Sequence, residues 1–575
     1  MSMERRLLLA VLLSVVIMVA WRALFPPAAP PRPETPAEEV SAETAAGPPT
    51  GMEEGAPPEP LPLEAQGPSV GEEEARVVTV ETDEALVMLT NRGGRVLSWK
   101  LTGYKDDRGR NLELVPERAR TADRLPLGLI LEEEEFQEAA NGALYRVERL
   151  DETGRPAVAM TWSDGAGREV RKVLRLRPGF EAAVELTVRR QGRPTPAGVF
   201  WGAGFGEEGD RRGATFAYSG RAIVEAAPKP LRRAADDVEP GGILSTGTGR
   251  RWGGLEDTYF AALFLPRPEG RFSVRAVEVP ATEGEAGEQA LLVALEMAGD
   301  GSATDLYIGP KDYQLLAAKE RNLQEVVHFQ SAIWVIGPVV TLLTRGLFHS
   351  LIFLHQTVVS NWGWAIVLLT VIIKLLFWPI TQKSMLSMKR MQEKTKRLQP
   401  KIAAIKEKYR RQGKKDIDGR QKMNQEIMGL YQKEGINPMG NLGGCLPLLL
   451  QLPILYGFYN LLQVAIELRQ APFMLWVQDL SQADPYKVLP IVMGASMVIQ
   501  QVLTGAAIAD PAQRRMMYLT PVLFTLFFLN LPAGLVLYWL VNNLLGILQQ
   551  YLINRRYALE KVAVPARRAP AGRKA

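Results

Sequence analysis

Few residues in this chain have the type and spacing for bond-making chemistry. It has 575 residues, one cysteine (Cys445) and three histidines (His328, His349 and His355). One cysteine excludes an intramolecular disulfide, and no Cys/His spacing matches a zinc or haem site. No nucleophile–base pair, phosphate-cradling loop or ATP motif stands out, so neither catalysis nor a cofactor is expected. The most unusual residue is Lys374, inside an apolar run from Trp362 to Ile380 that is long enough to cross a bilayer. A charge there costs roughly 2.5–3.5 kcal/mol on insertion scales. Thr370 precedes Lys374 by four residues and Thr381 follows it by seven, so helical spacing gives the lysine a partly polar face. Lys374 lies about 9 Å from the near end of its run, so its stem could carry the charge to the interface. Other apolar segments, however, hold Gln451, Gln500, Gln501, Asn542, Asn543, Gln549 and Gln550. A snorkelling lysine leaves these unexplained. A water-filled cavity open toward the cytoplasm accounts for the whole set and is the favoured reading.

The elements that must position these residues are apolar helices. The spans expected are Trp362–Ile380, Gly443–Leu462, Val488–Val502, Met516–Leu529 and Ala533–Tyr551, the last two split by NLP at 530–532. At the N-terminus, Arg5 and Arg6 precede an apolar run from Leu7 to Trp21. A cleavable signal peptide has similar flanks. Bulky Trp21, Leu24 and Phe25 at its end favour an uncleaved transmembrane anchor over 1–25 with a cytoplasmic N-terminus. The loop 382–442 and the tail 553–575 are strongly basic, which places both in the cytoplasm. The segment 333–359 has Leu343, Leu347, Phe348, Leu351 and Leu354 at helical spacing, with Arg345 and His349 opposite. Were it to span, the basic loop would fall on the wrong side. It is therefore read as interfacial within 321–360. Within 382–442, Met388, Met391, Thr395, Leu398, Ile402, Ile405 and Tyr409 make a heptad-like stripe, and Met423, Ile427 and Leu430 a shorter one. The pattern predicts an antiparallel helical hairpin, kinked or interrupted at Pro400.

Residues 26–75 are rich in Pro, Ala, Glu and Gly and are expected to form a disordered linker. From 76 to 320 the pattern turns to short alternating runs. FEAAVELTVRR (180–190) puts Ala182, Val184, Leu186 and Val188 on one face and Glu181, Glu185 and Arg189 on the other. RVVTVET, ALVMLTN, RVLSWKLTGY, RFSVRAVEV and ALLVALEM are further strand candidates, which predicts a large antiparallel β-sandwich. Residues 311–330 read as helical.

The segments NWGWAIVLLTVIIKLLFWPIT, LQPKI, INPMGNLGGCLPLLLQLPILYGFY, ELRQAPFMLWVQDLS, DPYKVLPIVMG and LPAGLVLYWLVNNLLGILQQ together cover 361–552. They resemble the YidC family of membrane protein insertases, in the form with an added periplasmic domain. TYFAALFLP (258–266) and DLYIGPKDY (305–313) are similar to that domain's later part. The resemblance implies a polytopic α-helical membrane protein: an N-terminal anchor plus a five-helix core (361–552), with an antiparallel β-super-sandwich periplasmic domain. It implies an inner-membrane insertase and folding chaperone for nascent and small membrane proteins, acting alone or with the Sec translocon during translation. It implies a hydrophilic groove whose residues map onto Lys374, Thr370, Gln451, Tyr538 and Trp539, with Asn543 added here. The family usually has arginine where this chain has Lys374. The basic hairpin and tail could meet ribosomal RNA or anionic lipid, or serve orientation alone.

A transporter or channel with Lys374 as an anion site is the alternative. It predicts internal repeats, and none is visible. A scaffold that only binds translocon subunits would leave the groove residues dispensable. Topology has a direct check. The 382–442 loop should be cut by protease added from the cytoplasmic side; protection there would overturn the orientation.

Overall fold

The computed structural model describes residues 68–106, 108–152, 155–206, 220–280, 288–319, 321–329, 337–411, 417–433, 442–504 and 511–563. The expected anchor, most of the linker and the end of the tail lie outside the described residues.

The alternating runs form strands, as their period requires. Val77–Glu81, Ala85–Thr90, Arg95–Lys105, Phe272–Val279 and Glu288–Met297 correspond to the quoted segments. In Glu181–Arg190 the residues Ala182, Val184, Leu186 and Val188 are buried, as the alternation demands. The strands build sheets of four, ten and five strands. Neighbouring strands pair antiparallel throughout, for example Ala262 with Ile308 and Val170 with Val188. One apolar core draws on all three sheets, including Val87, Trp99, Leu186, Phe264, Val199 and Val293.

The strand Phe260–Pro266 shows how this domain meets the helices. All seven residues are buried. Phe260, Ala262 and Phe264 face the sandwich core, whereas Ala261, Leu263 and Leu265 face a second core shared with the helices. A strand covered on both faces reads as a continuous apolar run, which is why FAALFLP lacks alternation.

Residues 311–330 differ from the expected helix. A first helix of six residues, Tyr313–Ala318, is capped by Asp312, whose carboxylate accepts the Leu315 N–H at 2.8 Å. The helix ends at Lys319, which is extended, and Arg321 and Asn322 then take left-handed conformations. A short 3-10 turn follows at Leu323–Val326. Its last carbonyls accept from Arg232, which also pairs with the buried Glu256 at 2.8 Å. Lys311 completes the buried cluster, 3.0 Å from the other Glu256 oxygen. Phe329 carries the apolar core onward to Phe348, with ring centroids 5.1 Å apart.

The helical part comprises α1 (Gly337–Thr357), α2 (Trp362–Arg411), α3 (Ile417–Lys433), α4 (Leu442–Val464), α5 (Val488–Thr504), α6 (Pro511–Phe528) and α7 (Ala533–Ala563). By length and composition, three helices among the described residues can cross a membrane: Pro338–Thr357, Trp362–Arg411 and Ala533–Arg556. By that measure α1 is able to span as well as to lie in the interface. It buries Leu347, Phe348, Leu351 and Leu354 and leaves Arg345 and His349 exposed, the two faces its spacing indicated.

The basic hairpin is present but begins differently. Its first arm continues the Lys374 helix, and α2 is assigned as one helix of 50 residues through Pro379 and Pro400. The expected interruption at Pro400 does not occur. Leu398 and Ile402 are buried against Met391, Ile427, Leu430 and Tyr431, so the two arms hold each other through that turn. Lys408 pairs with Glu426 across the hairpin at 3.1 Å. A helix of this length spans about 75 Å, so the hairpin projects far from the β-sandwich end of α2.

Acid should loosen the junction between sandwich and helices. Burial, reinforced by nearby Arg232, pushes the half-buried His328 from 6.5 down to about 4. The unfolded chain therefore takes up a proton that the folded chain refuses. Stability present above pH 6.5 is lost as pH falls through about 4, by at most about 3 kcal/mol. Glu256 is held below the usual carboxylate range by Lys311 and Arg232 against the opposing effect of burial, and its loss on acidification has the same sign. Thermal unfolding followed by tryptophan fluorescence should show a falling Tm over this window. His328→Gln should flatten the upper part of the fall; an unchanged profile would remove His328 from the account.

Candidate functional site

The polar residues of the apolar helices meet along α7. Lys374 Nζ donates to Asn542 Oδ1 at 3.2 Å, joining α2 to α7. One turn before Asn542 on the same face is Tyr538, whose hydroxyl accepts from Gln451 Nε2 of α4 at 3.3 Å. One turn after Asn542 is Gly546. A Cβ there would sit 2.6 Å from Gln500 Nε2 of α5 and 3.7 Å from Lys374 Nζ. The missing side chain therefore lets an amide from α5 and an ammonium from α2 converge over one stretch of α7. Lys374 is half-buried rather than sealed.

Polar contacts continue toward the basic hairpin. Gln549 Nε2 donates to Thr381 Oγ1 at 2.9 Å, and Lys389 reaches Asn554. Asn554 also donates to the Leu503 carbonyl of α5 at 3.1 Å. Gln549 is fully buried, so the seam is a packed strip of hydrogen bonds between α2 and α7. Unmet polar groups in hydrocarbon cost several kcal/mol each, and this pairing is what lets such residues stand among apolar ones.

The expected site residues divide accordingly. Lys374, Gln451 and Tyr538 converge on the Tyr538–Asn542–Gly546 face. Asn543 points elsewhere, donating to Ser496 Oγ of α5 at 3.1 Å. Thr370 is buried and spends its hydroxyl on the Ile366 carbonyl of its own helix at 2.7 Å. Trp539 packs against Phe528 and Phe524 of α6, at centroid distances of 5.3 and 6.2 Å. Tyr538 stacks on Phe458 of α4 at 4.4 Å. Asn542 and Gln500, read in the sequence only as members of the wider polar set, join the site, and so does Gly546, which the sequence reading did not select. The signal was available for Asn542: it is i+4 from Tyr538, whereas Asn543 is i+5.

α7 packs against α2, α4 and α5, and α6 packs against α5. Among the described residues, the backbones of α4 and α6, like those of α2 and α5, approach closely at few points or none. The outer faces of α4 and α6 expose Leu452, Leu519, Val522, Leu523, Leu526 and Phe527. The described residues hold no cluster of His, Cys, Asp or Glu able to bind a metal ion.

Comparison with known proteins agrees with this architecture. Residues 353–561 match the 60Kd inner membrane protein family, and residues 77–342 match the YidC periplasmic domain. The membrane protein insertase YidC of Geobacter metallireducens is 35% identical, over 97% of this chain and 99% of its own length. That of Syntrophus aciditrophicus is 32% identical, over 96% of this chain and 100% of its own. A crystal structure of an active YidC insertase with its first transmembrane domain resolved aligns over 85% of this chain and 95% of its own at 16% identity. The TM-score is 0.35. With relatives aligned from end to end and both halves matched, the chain belongs to the YidC family of membrane protein insertases.

Proposed function

We propose that the insertase works through a hydrated groove centred on Lys374, bordered by α2, α4, α5 and α7. The observation that carries this reading is the convergence of Lys374, Asn542 and Gln500 around Gly546. Gln501 Oε1 and Trp539 Nε1, both buried and without a protein partner, also favour water in the helical interior. The groove shortens the apolar path for a polar segment and raises the local dielectric. An incoming carboxylate 4 Å from Lys374 gains about 4 kcal/mol at an effective dielectric of 20. The substrate's apolar helix then leaves along the exposed faces of α4 and α6, driven by transfer to lipid at ~25 cal/mol per Å².

In this reading the protein sits in the bacterial inner membrane. The anchor is 1–25, the linker 26–75, the periplasmic domain 76–320 and the interfacial region 321–360. The core is 361–552, and the tail is 553–575. The hairpin and tail face the cytoplasm, and the sandwich faces the periplasm. The loop between α4 and α5 contacts the sandwich, since Arg469 and Gln470 both donate to the Lys105 carbonyl, at 2.8 and 3.1 Å. The hairpin lies at the far end of α2, which supports opposite sides for the two. Ribosome and Sec translocon are the partners proposed for the cytoplasmic and lateral surfaces, with anionic lipid beside the basic hairpin. The mechanism needs no nucleotide and makes no bonds.

Two sets of variants test the groove in depletion–complementation and proteoliposome insertion assays. Lys374→Arg should work, Lys374→Glu should fail, and Lys374→Ala should most harm substrates with acidic outward segments. Equal insertion by all three would remove the charge from the mechanism. Gly546→Leu should fill the space between Gln500 and Lys374 and lower insertion several-fold, while Gly546→Ala, which only nudges a flexible amide, should insert nearly as wild type. Full activity of the leucine variant would place the path elsewhere.

A further inference from the structure

The loop between α4 and α5 holds an apolar tip that the insertion path does not use. Its segment APFMLWV (471–477) carries no charge. Phe473 N–H donates to the Val477 carbonyl at 2.9 Å, and Val477 N–H to the Met474 carbonyl at 3.1 Å. The Gln478 amide closes the turn onto the Leu475 carbonyl at 2.7 Å. At the apex, Leu475 is 72% exposed and Met474 44%. Leu475 also takes a left-handed conformation, φ 55°, which costs a branched apolar residue roughly 1–2 kcal/mol. A glycine would suit that backbone better, and a polar residue would suit exposure to water better. A leucine held there calls for an apolar neighbour.

The turn is fixed to the start of the Lys374 helix. Asn361 caps α2 by accepting the Trp364 N–H at 3.1 Å, and its amide donates to the carbonyls of Pro472 and Phe473 at 3.0 and 3.2 Å. Phe473 lies over Gly363, where any side chain would run into its ring. The same ring meets Trp364 edge-on at 5.5 Å. Trp364 is itself half exposed and begins a stripe that continues through Ile372 and Leu376, both exposed on a helix that crosses the membrane. The tip is therefore continuous with a lipid-facing surface, at the level where aromatic side chains gather at membrane boundaries.

We propose that Met474 and Leu475 dip into the headgroup and upper acyl region of the leaflet on the β-sandwich side. Together with Trp364 they form a second anchor for α2. The tip fixes the depth of that helix and so holds Lys374 about 15 Å below it, ten residues along α2 from Trp364. The occupant of the patch is lipid rather than another protein: it joins an existing lipid-facing stripe, carries no charge and sits at the membrane boundary. The inference depends only on α2 crossing the bilayer and is separate from the groove reading.

The test uses the full chain in liposomes of phosphatidylethanolamine and phosphatidylglycerol. In a Cys445→Ser background, Leu475→Cys carries an environment-sensitive fluorophore, and Ser302→Cys on the exposed sandwich surface serves as the aqueous control. The 475 probe should be blue-shifted, lose most of its emission to lipids bearing a nitroxide high on the acyl chain, and resist iodide. The 302 probe should show the reverse. Iodide quenching at 475 without nitroxide quenching would overturn the proposal. So would protection from both quenchers that vanishes when protein is diluted into lipid, which would put a second copy on the tip.

Discussion

The governing constraint is that a polar group among membrane-crossing helices must find a partner inside the protein or water beside it. Lys374 meets it through α7. That helix carries Tyr538, Asn542 and Gly546 on one face, and three other helices bring Gln451, Lys374 and Gln500 to that face. The helical arrangement follows from this. α7 lies centrally because it holds the partners, and α2 lies against it through Asn542, Gln549 and Asn554.

A second dependence runs through the sandwich. Phe260–Pro266 belongs to two cores at once, and the far core extends through Phe329 and Phe348 to Phe458 and Trp539. The loop after α4 closes the junction from the other side. Ile466 joins the sandwich core, and the Arg469 guanidinium lies 5.6 Å from the centre of the Phe260 ring. The β-domain is thus seated on the helices through apolar packing and a buried ionic cluster, not tethered by one strand of chain. Neutralising one partner of such a cluster leaves a buried charge unpaired, which is the reason to expect acid to loosen the junction.

Much of this was legible in the sequence because its signals are local. Period-two alternation marked the strands, and apolar runs marked the helices from Trp362 onward. What depends on contacts remote in sequence was harder to read. The helix expected over 311–330 ends already at Lys319, which is extended and is neither a glycine nor a proline; the turn-forming Asn322 lies three positions later. Pro400 looked like a breaker, yet the opposing arm of the hairpin holds the helix across it. Thr370 faced the right way on a helical wheel, but a buried threonine hydroxyl can turn back to its own carbonyl four residues earlier, and here it does. Of the two neighbouring asparagines, Asn542 shares the Tyr538 face and Asn543 meets Ser496, because a helix turns adjacent residues about 100° apart.

The site also gives a physical reason why a lysine, rather than an arginine, can stand at position 374. A guanidinium presents five donors in a flat fork and is best used where several acceptors lie in one plane. Among the described residues the side-chain acceptor of this cation is Asn542 Oδ1, and the Gln500 amide turns its donor nitrogen toward Gly546. Such a setting favours a compact ammonium on a flexible stem. The charge is positioned by one hydrogen bond and by the space over Gly546, a placement that needs no flat fork of donors.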